Sequence, residues 1–283
     1  MLSKNVVDRS SVSNILKPRQ AFTHKGDYGH ACLIAGSVSL MGAAVLAVNA
    51  CLRAGAGKVT AITARIGYDI LQVSAPEAMT KISGENFIET VEDLEKFDSL
   101  AIGPGIGLYN SHTDLLKEVF SQYKKPMIID ADALNILASD KELLQLIPAH
   151  SILTPHVVEF DRLFGKHETE SDRQQTALQV SKKYNIYIVL KGHHTFIAAP
   201  GEKHFFNSTG NPGMATGGSG DVLTGILTGL LAQGFSPLDT CIAGVYLHGL
   251  AGDIAADKIS EPALIAGDII ENLGYAFKQF EQK

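Results

Sequence analysis

Short apolar runs typical of β-strands alternate with helix-like segments along most of this 283-residue chain. The predicted strands are residues 31–35, 58–63, 99–102, 126–130, 151–154, 186–190 and 195–199. The predicted helices are residues 42–54, 111–123, 133–137, 171–184, 221–232 and 237–256. Such alternation favours a doubly wound α/β fold, in which a central, mainly parallel sheet carries helices on both faces.

The glycine-rich and polar loops come directly after these predicted strands. In an open parallel sheet the loops at the carboxyl ends of the strands share one edge, and ligands bind along that edge. The loops in question are Gly36-Ser37, the glycine-rich 103–107, Asp130-Ala131-Asp132, Thr154-Pro155-His156 and residues 191–195. The sequence therefore predicts that all of them lie at one edge of the sheet.

Composition excludes several classes of partner. The chain has 24 basic and 30 acidic residues, a formal net charge of −6, and no dense Lys/Arg run. This balance argues against nucleic acid or an anionic membrane as the main partner. Three cysteines lack metal or redox spacing and predict buried thiols in a reducing compartment. Because the N-terminus lacks a signal-peptide core and residues 41–52 are too short to cross a bilayer, we expect a cytoplasmic protein.

We expect one domain over residues 1–283, since 45% hydrophobic residues can build one large core. No linker or internal repeat divides the chain. Residues 1–22 are predicted to be a loosely structured arm or an oligomer contact.

The segment from Asn211 to Asp221 is Asn-Pro-Gly-Met-Ala-Thr-Gly-Gly-Ser-Gly-Asp, and it leads into the predicted helix 221–232. A glycine-rich turn at a helix start exposes backbone N–H groups that bind phosphate or a developing oxyanion. Glycines at 217, 218 and 220 would permit positive φ and close approach of an anion. Asp221 in the first turn, where the helix dipole favours its ionised form, would accept a proton from a substrate hydroxyl. The alternative is that Ser219 or Asp221 only caps the helix.

Other loop residues carry two interpretations each. Asp130 and Asp132 could hold magnesium, or Asp132 could be the N-cap of the next helix; we weigh these equally. Lys191 could meet a nucleotide phosphate or be a solvated hairpin lysine. His156 could donate to a ligand oxygen or be structural.

Two further patterns point away from common sites. The loop 103–107, Gly-Pro-Gly-Ile-Gly, lacks the spacing of a dinucleotide fingerprint and is expected to bring bare backbone against a ligand or to form a tight turn. His193 and His194 lack the spacing for one metal ion and are predicted to be loop residues.

In this order the motifs resemble the ADP/ATP-dependent NAD(P)H-hydrate dehydratases, a family of the ribokinase-like superfamily. The resemblance covers about residues 25–277. It rests on Lys-Gly-Asp-Tyr-Gly-His at 25–30, Ala-Gly-Ser at 35–37, Met-Gly-Ala-Ala at 41–44, Arg-Ala-Gly-Ala-Gly at 53–57, residues 103–107, Asp-Ala-Asp-Ala-Leu-Asn at 130–135, Leu-Thr-Pro-His at 153–156, Lys191-Gly192 and residues 211–221.

The resemblance implies a substrate and a reaction. The substrate is NADH or NADPH hydrated at C6 of the reduced ring (NADHX or NADPHX), and phosphorylation of the C6 hydroxyl turns it into a phosphate leaving group. Elimination then restores the dihydropyridine. The implied cofactors are Mg²⁺ and ADP, although no residue decides between ADP and ATP as the donor.

The resemblance also implies residue roles. Ala43, Gly105, His156 and Asp221 match positions that contact the hydrate. The adenine-nucleotide site matches Lys191, Gly192, His193, His194, Thr195 and Gly220. Asp221 is the implied catalytic base, with the N–H groups of Gly218 and Gly220 neutralising developing charge. The usual Pro-Gly after the histidine is replaced here by Val157-Val158.

The family further implies a homotetramer and a separate NAD(P)H-hydrate epimerase as functional partner, since 283 residues are accounted for by the dehydratase. Two alternatives remain open. The first is a ribokinase-like small-molecule kinase that releases a stable phosphorylated vitamin precursor or sugar. The second is an adenine-nucleotide sensor without turnover.

Overall fold

A computed structural model describes residues 5–281 of the chain. It contains a ten-stranded sheet in the order β1-β10-β9-β8-β7-β6-β5-β2-β3-β4. The strands are β1 Val6–Val7, β2 His30–Ile34, β3 Lys58–Thr63, β4 Met79–Ile82, β5 Ser99–Ile102, β6 Ile128–Ile129, β7 Ile152–Leu153, β8 Tyr187–Leu190, β9 Phe196–Ala199 and β10 Lys203–Asn207. Only β9 runs antiparallel to its neighbours. The predicted mainly parallel α/β fold is confirmed.

The helices lie on both faces of this sheet. They are α1 Arg9–Ile15, α2 Met41–Arg53, α3 Gly67–Ser74, α4 His112–Gln122, α5 Asp132–Ser139, α6 Val157–Phe164, α7 Glu170–Tyr184, α8 Ser219–Ala232, α9 Pro237–Ile259 and α10 Ala266–Lys278. Strand β2 shows why both faces are buried: Ala31 and Leu33 join one apolar cluster, whereas Cys32 and Ile34 join the other. This alternation follows from the two-residue period of a strand.

Helices α2 and α8 pack backbone to backbone, and this contact sets where α8 begins. A Cβ on Gly225 would lie 2.1 Å from the carbonyl oxygen of Ala47, and one on Gly229 would lie 2.8 Å from that of Cys51. The four-residue spacing of these glycines keeps both on one face of α8. Since Gly225 meets Ala47 and Gly229 meets Cys51, the two helices run in the same direction, and both begin at the carboxyl edge of the sheet.

The N-terminal segment differs from the expected loose arm. In the described part of residues 1–22, β1 pairs in parallel with β10, and α1 buries Val12 completely in the core. Asp8 caps α1 by accepting a hydrogen bond from the Ser11 backbone N–H at 2.8 Å. The arm prediction is therefore wrong for residues 6–15, because a short apolar pattern there finds tertiary partners. Residues 1–4 lie outside the described residues.

No helix between residues 5 and 281 is long and apolar enough to cross a membrane.

Candidate active site

Asp130 and Lys191 form the centre of the carboxyl edge of the sheet. Asp130 follows β6 and is 1% exposed, while Lys191 follows β8. Lys191 Nζ donates to Asp130 Oδ1 at 2.9 Å, and the Thr224 hydroxyl donates to Asp130 Oδ2 at 2.7 Å. Burial alone would lower the pKa of Lys191, but the carboxylates of Asp130 and Glu159 outweigh it and hold that pKa above its ordinary value. Lys191 is therefore a fixed, largely covered cation and not a solvated hairpin lysine.

The start of α8 lies against this ion pair. Gly218 is the N-cap residue, with φ +89° in the left-handed region, and no described side chain caps the helix. A Cβ on Gly220 would lie 3.2 Å from Lys191 Nζ and 3.8 Å from Asp130 Oδ2. An uncapped first turn leaves backbone N–H groups for an anion. The predicted anion-binding geometry thus has a cation beside it, although Gly217 and Gly220, contrary to expectation, do not adopt positive φ.

Asp221 occupies the third position of α8 and has an unusual ionisation. Burial, reinforced by the negative charge of Asp130, raises the pKa of Asp221 to about 7, and the Lys191 ammonium opposes this only in part. Burial thus opposes the preference for the ionised form that the position of Asp221 at the helix start predicts. An acid with this pKa exchanges protons readily at neutral pH.

The loop after β5 brings Gly105 against the start of α2. Gly105 has φ +62°, and a Cβ there would lie 2.5 Å from the Leu40 carbonyl oxygen and 3.1 Å from Ala43 Cβ. The Ser37 hydroxyl donates to the Gly105 carbonyl at 2.9 Å, which fixes the loop. The structure thus brings together Ala43 and Gly105. A Cβ on Gly103 would collide with the Asp130 carbonyl oxygen, so the same loop also packs on the backbone of Asp130.

His156 is the N-cap residue of α6. Its Nδ1 accepts hydrogen bonds from the N–H groups of Val158 at 3.1 Å and Glu159 at 3.3 Å, while a Glu159 carboxylate oxygen accepts from the His156 N–H at 2.8 Å. With Nδ1 accepting, the proton of the neutral ring lies on Nε2. Burial and Lys191 lower the pKa of His156, so the ring is neutral at pH 7. Half of its side chain is exposed, which leaves it accessible to a ligand.

The backbone at His156 pairs with that at Lys191, since the Lys191 N–H donates to the Pro155 carbonyl at 2.9 Å. Val157 and Val158, which replace Pro-Gly, are the first two residues of α6, and the capping box of His156 and Glu159 makes this a regular helix start. The next residues, Gly192 to His194, form an exposed turn between β8 and β9, and the rings of His193 and His194 lie 4.4 Å apart. Both histidines are loop residues, as predicted.

Asp132 is not the N-cap residue of α5, which was one of its two predicted roles. The N-cap of α5 is Ala131, and Asp132 is the first helical residue. Its Oδ2 accepts a hydrogen bond from the Gly107 N–H at 2.8 Å and so anchors the loop after β5. Among residues 5–281 no three His, Cys, Asp or Glu side chains form a cluster that could hold a metal ion.

Sequence reasoning missed three contacts of the site. Thr224 lies one turn after Asp221 on α8, and its bond to Asp130 explains a buried hydroxyl in an apolar helix. Glu159 follows His156 by three residues, the spacing of a capping box. His248 of α9 faces Ser219. These three residues could have been found in the sequence as polar residues within apolar helices, for Thr224 and His248, or at capping-box spacing, for Glu159.

A parallel α/β sheet whose carboxyl edge carries a glycine-rich helix start, a buried acid and an ion pair defines a ribokinase-like protein. The solved ribokinase of Cryptococcus neoformans var. grubii shares the fold, with a TM-score of 0.61 at 16% identity. The model of the NAD(P)H-hydrate dehydratase family matches residues 31–273, so the chain belongs to that family.

Individual relatives agree with this assignment. The ADP-dependent (S)-NAD(P)H-hydrate dehydratase of Neisseria meningitidis is 36% identical over 90% of this chain and 87% of its own length. The crystal structure of the ADP/ATP-dependent NAD(P)H-hydrate dehydratase from Bacillus subtilis, co-crystallised with ATP/Mg²⁺, matches with a TM-score of 0.88 and 31% identity over 99% of this chain and 100% of that one.

A bifunctional NAD(P)H-hydrate repair enzyme of Moorella thermoacetica is 40% identical over 95% of this chain. The match covers 53% of that relative, so the chain spans about half the length of the bifunctional proteins that it resembles.

Proposed function

We propose that this chain catalyses the ADP-dependent dehydration of the S-epimer of hydrated NADH or NADPH, giving NAD(P)H, AMP and phosphate. The observation that carries the proposal is the position of Asp221, which lies in the uncapped first turn of α8 beside the Lys191–Asp130 ion pair. Its pKa of about 7 suits a group that accepts a proton at neutral pH. The names of the similar dehydratases support the substrate and the donor.

The first step transfers the terminal phosphoryl group of ADP to the C6 hydroxyl oxygen. Asp221 accepts the hydroxyl proton as the oxygen–phosphorus bond forms, since a carboxylate is too weak to ionise an alcohol in advance. The N–H groups of Gly218 and Gly220 neutralise the charge that develops on the phosphoryl oxygens. Loss of such a donor typically lowers the rate by about 100-fold to 1000-fold.

The positions of the other residues fit separate sites for the hydrate and for the nucleotide. Ala43, in the first turn of α2, and Gly105 lie together and would contact the hydrate, together with the Nε2–H of His156. The nucleotide would lie along the turn after β8, where Gly192 faces open space and leaves the backbone accessible. His193, His194 and Thr195 complete that turn. Gly220 lies close to the residue that precedes the turn, because a Cβ on Gly220 would lie 3.2 Å from Lys191 Nζ.

The second step is elimination. The lone pair of the ring nitrogen expels the C6 phosphate, and loss of a proton from C5 restores the C5–C6 double bond of the dihydropyridine. Phosphate leaves far more readily than hydroxide, which is why a kinase-like site would serve a dehydration.

Mg²⁺ would accompany the nucleotide. Three carboxylates raise the pKa of Asp221, those of Asp130, Asp132 and Glu159, and one lysine opposes them. Such an excess of negative charge fits a divalent cation shared with the ADP phosphates, which would be held by Asp130 or Asp132 and would neutralise phosphate charge.

We also propose the assembly and the setting of the enzyme. Residues 1–283 would act as one ribokinase-like domain in a homotetramer. The three cysteines are buried and free, which fits work in the reducing cytoplasm. A NAD(P)H-hydrate epimerase would supply the S-epimer from the R-epimer, and the bifunctional relatives support this functional link.

The test is the absorbance of reduced nicotinamide during incubation of the protein with NADH hydrate, Mg²⁺ and either ADP, ATP or no nucleotide. The proposal expects nucleotide-dependent recovery of NADH with ADP and release of one phosphate per NADH. A stable phosphorylated hydrate would indicate an ordinary kinase, and nucleotide binding without any conversion would indicate a sensor.

A further inference from the structure

The segment that leads to α8 is held along its length by one stretch of α9, residues 246–253. The Thr209 hydroxyl donates to the Tyr246 carbonyl at 2.8 Å. A Cβ on Gly249 would lie 2.3 Å from Thr209 Oγ1, and one on Gly252 would lie 2.3 Å from Met214 Sδ. Small residues on α9 therefore let the segment lie directly on the helix.

Asp253 fixes the beginning of the glycine-rich run. Its Oδ1 accepts from Asn211 Nδ2 at 2.9 Å, and its Oδ2 accepts from the Gly210 N–H at 2.9 Å. The Asn211 side chain is itself oriented, because its Oδ1 accepts from the Gly213 N–H at 3.0 Å. One carboxylate and one amide thus order four consecutive residues.

His248 fixes the end of the same run. Its Nε2 lies 3.0 Å from the Ser219 carbonyl oxygen, to which it donates, and 3.3 Å from Ser219 Oγ. Burial lowers the pKa of His248 to about 4, so the ring stays neutral at working pH. Ser219 lies between Gly218 and Gly220, so the contact holds the first turn of α8.

We propose that the Asn211–Asp253 hydrogen bond is a positioning element, which keeps the glycine-rich run preorganised so that Gly218, Gly220 and Asp221 meet the transition state. The inference rests on the proposed function. Asn211 and Asp253 lie outside the residues assigned above to the hydrate or the nucleotide, and in this proposal they act through the backbone that they hold. Because the N–H groups of the α8 start meet additional charge on the phosphoryl oxygens in the transition state, loosening them should lower kcat more than it raises KM.

The pair offers a swap experiment. D253N sets an amide NH₂ against either the Asn211 NH₂ or the Gly210 N–H, because one amide oxygen cannot accept from both, and N211D sets two carboxylates against each other. The double variant N211D/D253N restores one donor and one acceptor, and an amide oxygen still accepts from the Gly210 N–H. We expect each single variant to lower kcat by about 10-fold to 100-fold with KM within about threefold, since misplacement by about 1 Å costs up to roughly 100-fold. The double variant should recover to within about threefold of the parent kcat.

The matched control is D239N on the same helix. Asp239 Oδ2 accepts from the Ser236 hydroxyl at 2.8 Å at the start of α9, away from the glycine-rich run. This change replaces a hydrogen-bonded carboxylate of α9 by an amide, as D253N does, and should leave kcat unchanged. Thermal melting of all four variants separates lost positioning from lost stability.

A second readout does not depend on turnover. Amide hydrogen exchange of residues 210–221 should speed up about tenfold or more in each single variant and return towards the parent rate in the double variant. The proposal is overturned if the single variants keep the parent kcat and exchange rates, or if the double variant fails to recover either. If the parent protein itself converts no hydrate, the proposed function fails while hydrogen exchange still decides on the positioning element.

Discussion

Replacement of Asp221 by Asn should stabilise the folded protein while it removes activity. The folded state raises the pKa of this carboxyl from 3.8 to about 7, chiefly by burial and by the nearby Asp130. Above that pKa the folded protein contains a buried carboxylate, whose free energy is higher than that of the same carboxylate in water in the unfolded chain. Asn has almost the shape of protonated Asp and carries no charge, so D221N avoids this cost.

The size of the effect follows from linkage. A raised carboxyl pKa means that folded stability is lost as the pH rises, from the unfolded pKa of 3.8 through the folded pKa of about 7. At 1.36 kcal/mol per pKa unit, ionisation costs about 4 kcal/mol at pH 8 and about 2 kcal/mol at pH 5. D221N should therefore gain about these amounts in free energy of unfolding, and nothing below about pH 3.

Urea unfolding of the parent and of D221N, measured between pH 3 and pH 8, tests this value. The control is D114N, which removes an exposed acid from the first turn of α4. Its unfolding free energy should change by less than about 0.5 kcal/mol at any pH. If D221N is no more stable than the parent at pH 8, burial does not raise the pKa of Asp221 and the electrostatic account of the site is refuted.

Two further predictions concern the same site. Because the base must be ionised, kcat/KM should rise with pH to a plateau above about pH 7. D130N removes a negative charge beside Asp221 and should move this rise to lower pH. A pH–rate profile that D130N does not shift contradicts the assignment. G218A should cost about 1–2 kcal/mol in urea unfolding, because φ is +89° and the new Cβ would lie 2.3 Å from Leu46 Cδ1. G217A, which faces open space without positive φ, should change the unfolding free energy by less than about 0.5 kcal/mol, and equal effects of the two would refute the assigned geometry.

Most of the sheet could be predicted from sequence because its central strands are continuous apolar runs buried on both faces. Strand β4 escaped prediction, since Met79 and Ile82 of this edge strand are exposed and Lys81 interrupts the pattern. The two-residue β1 is too short to show a period. Strand β10 was not predicted either. All three strands pair with a neighbouring strand, and that pairing is information from tertiary structure.

The site residues could be listed from sequence, but their interactions could not. Lys191 and Asp130 are 61 residues apart, and only the strand order places their side chains in contact. The raised pKa of Asp221 could not be predicted, because the position at a helix start is visible in the sequence and the burial of the carboxyl is not. His248 and Asp253 lie on α9 and contact the glycine-rich run only after the helix packs on it.

The most direct test of the account compares the parent protein with D221N in one assay, the recovery of reduced-nicotinamide absorbance from (S)-NADH hydrate with ADP and Mg²⁺, alongside ADP binding by calorimetry. The account predicts that D221N binds ADP with nearly the parent affinity and recovers no measurable NADH. Recovery of NADH by D221N at the parent rate would show that Asp221 is not the base and would contradict the mechanism.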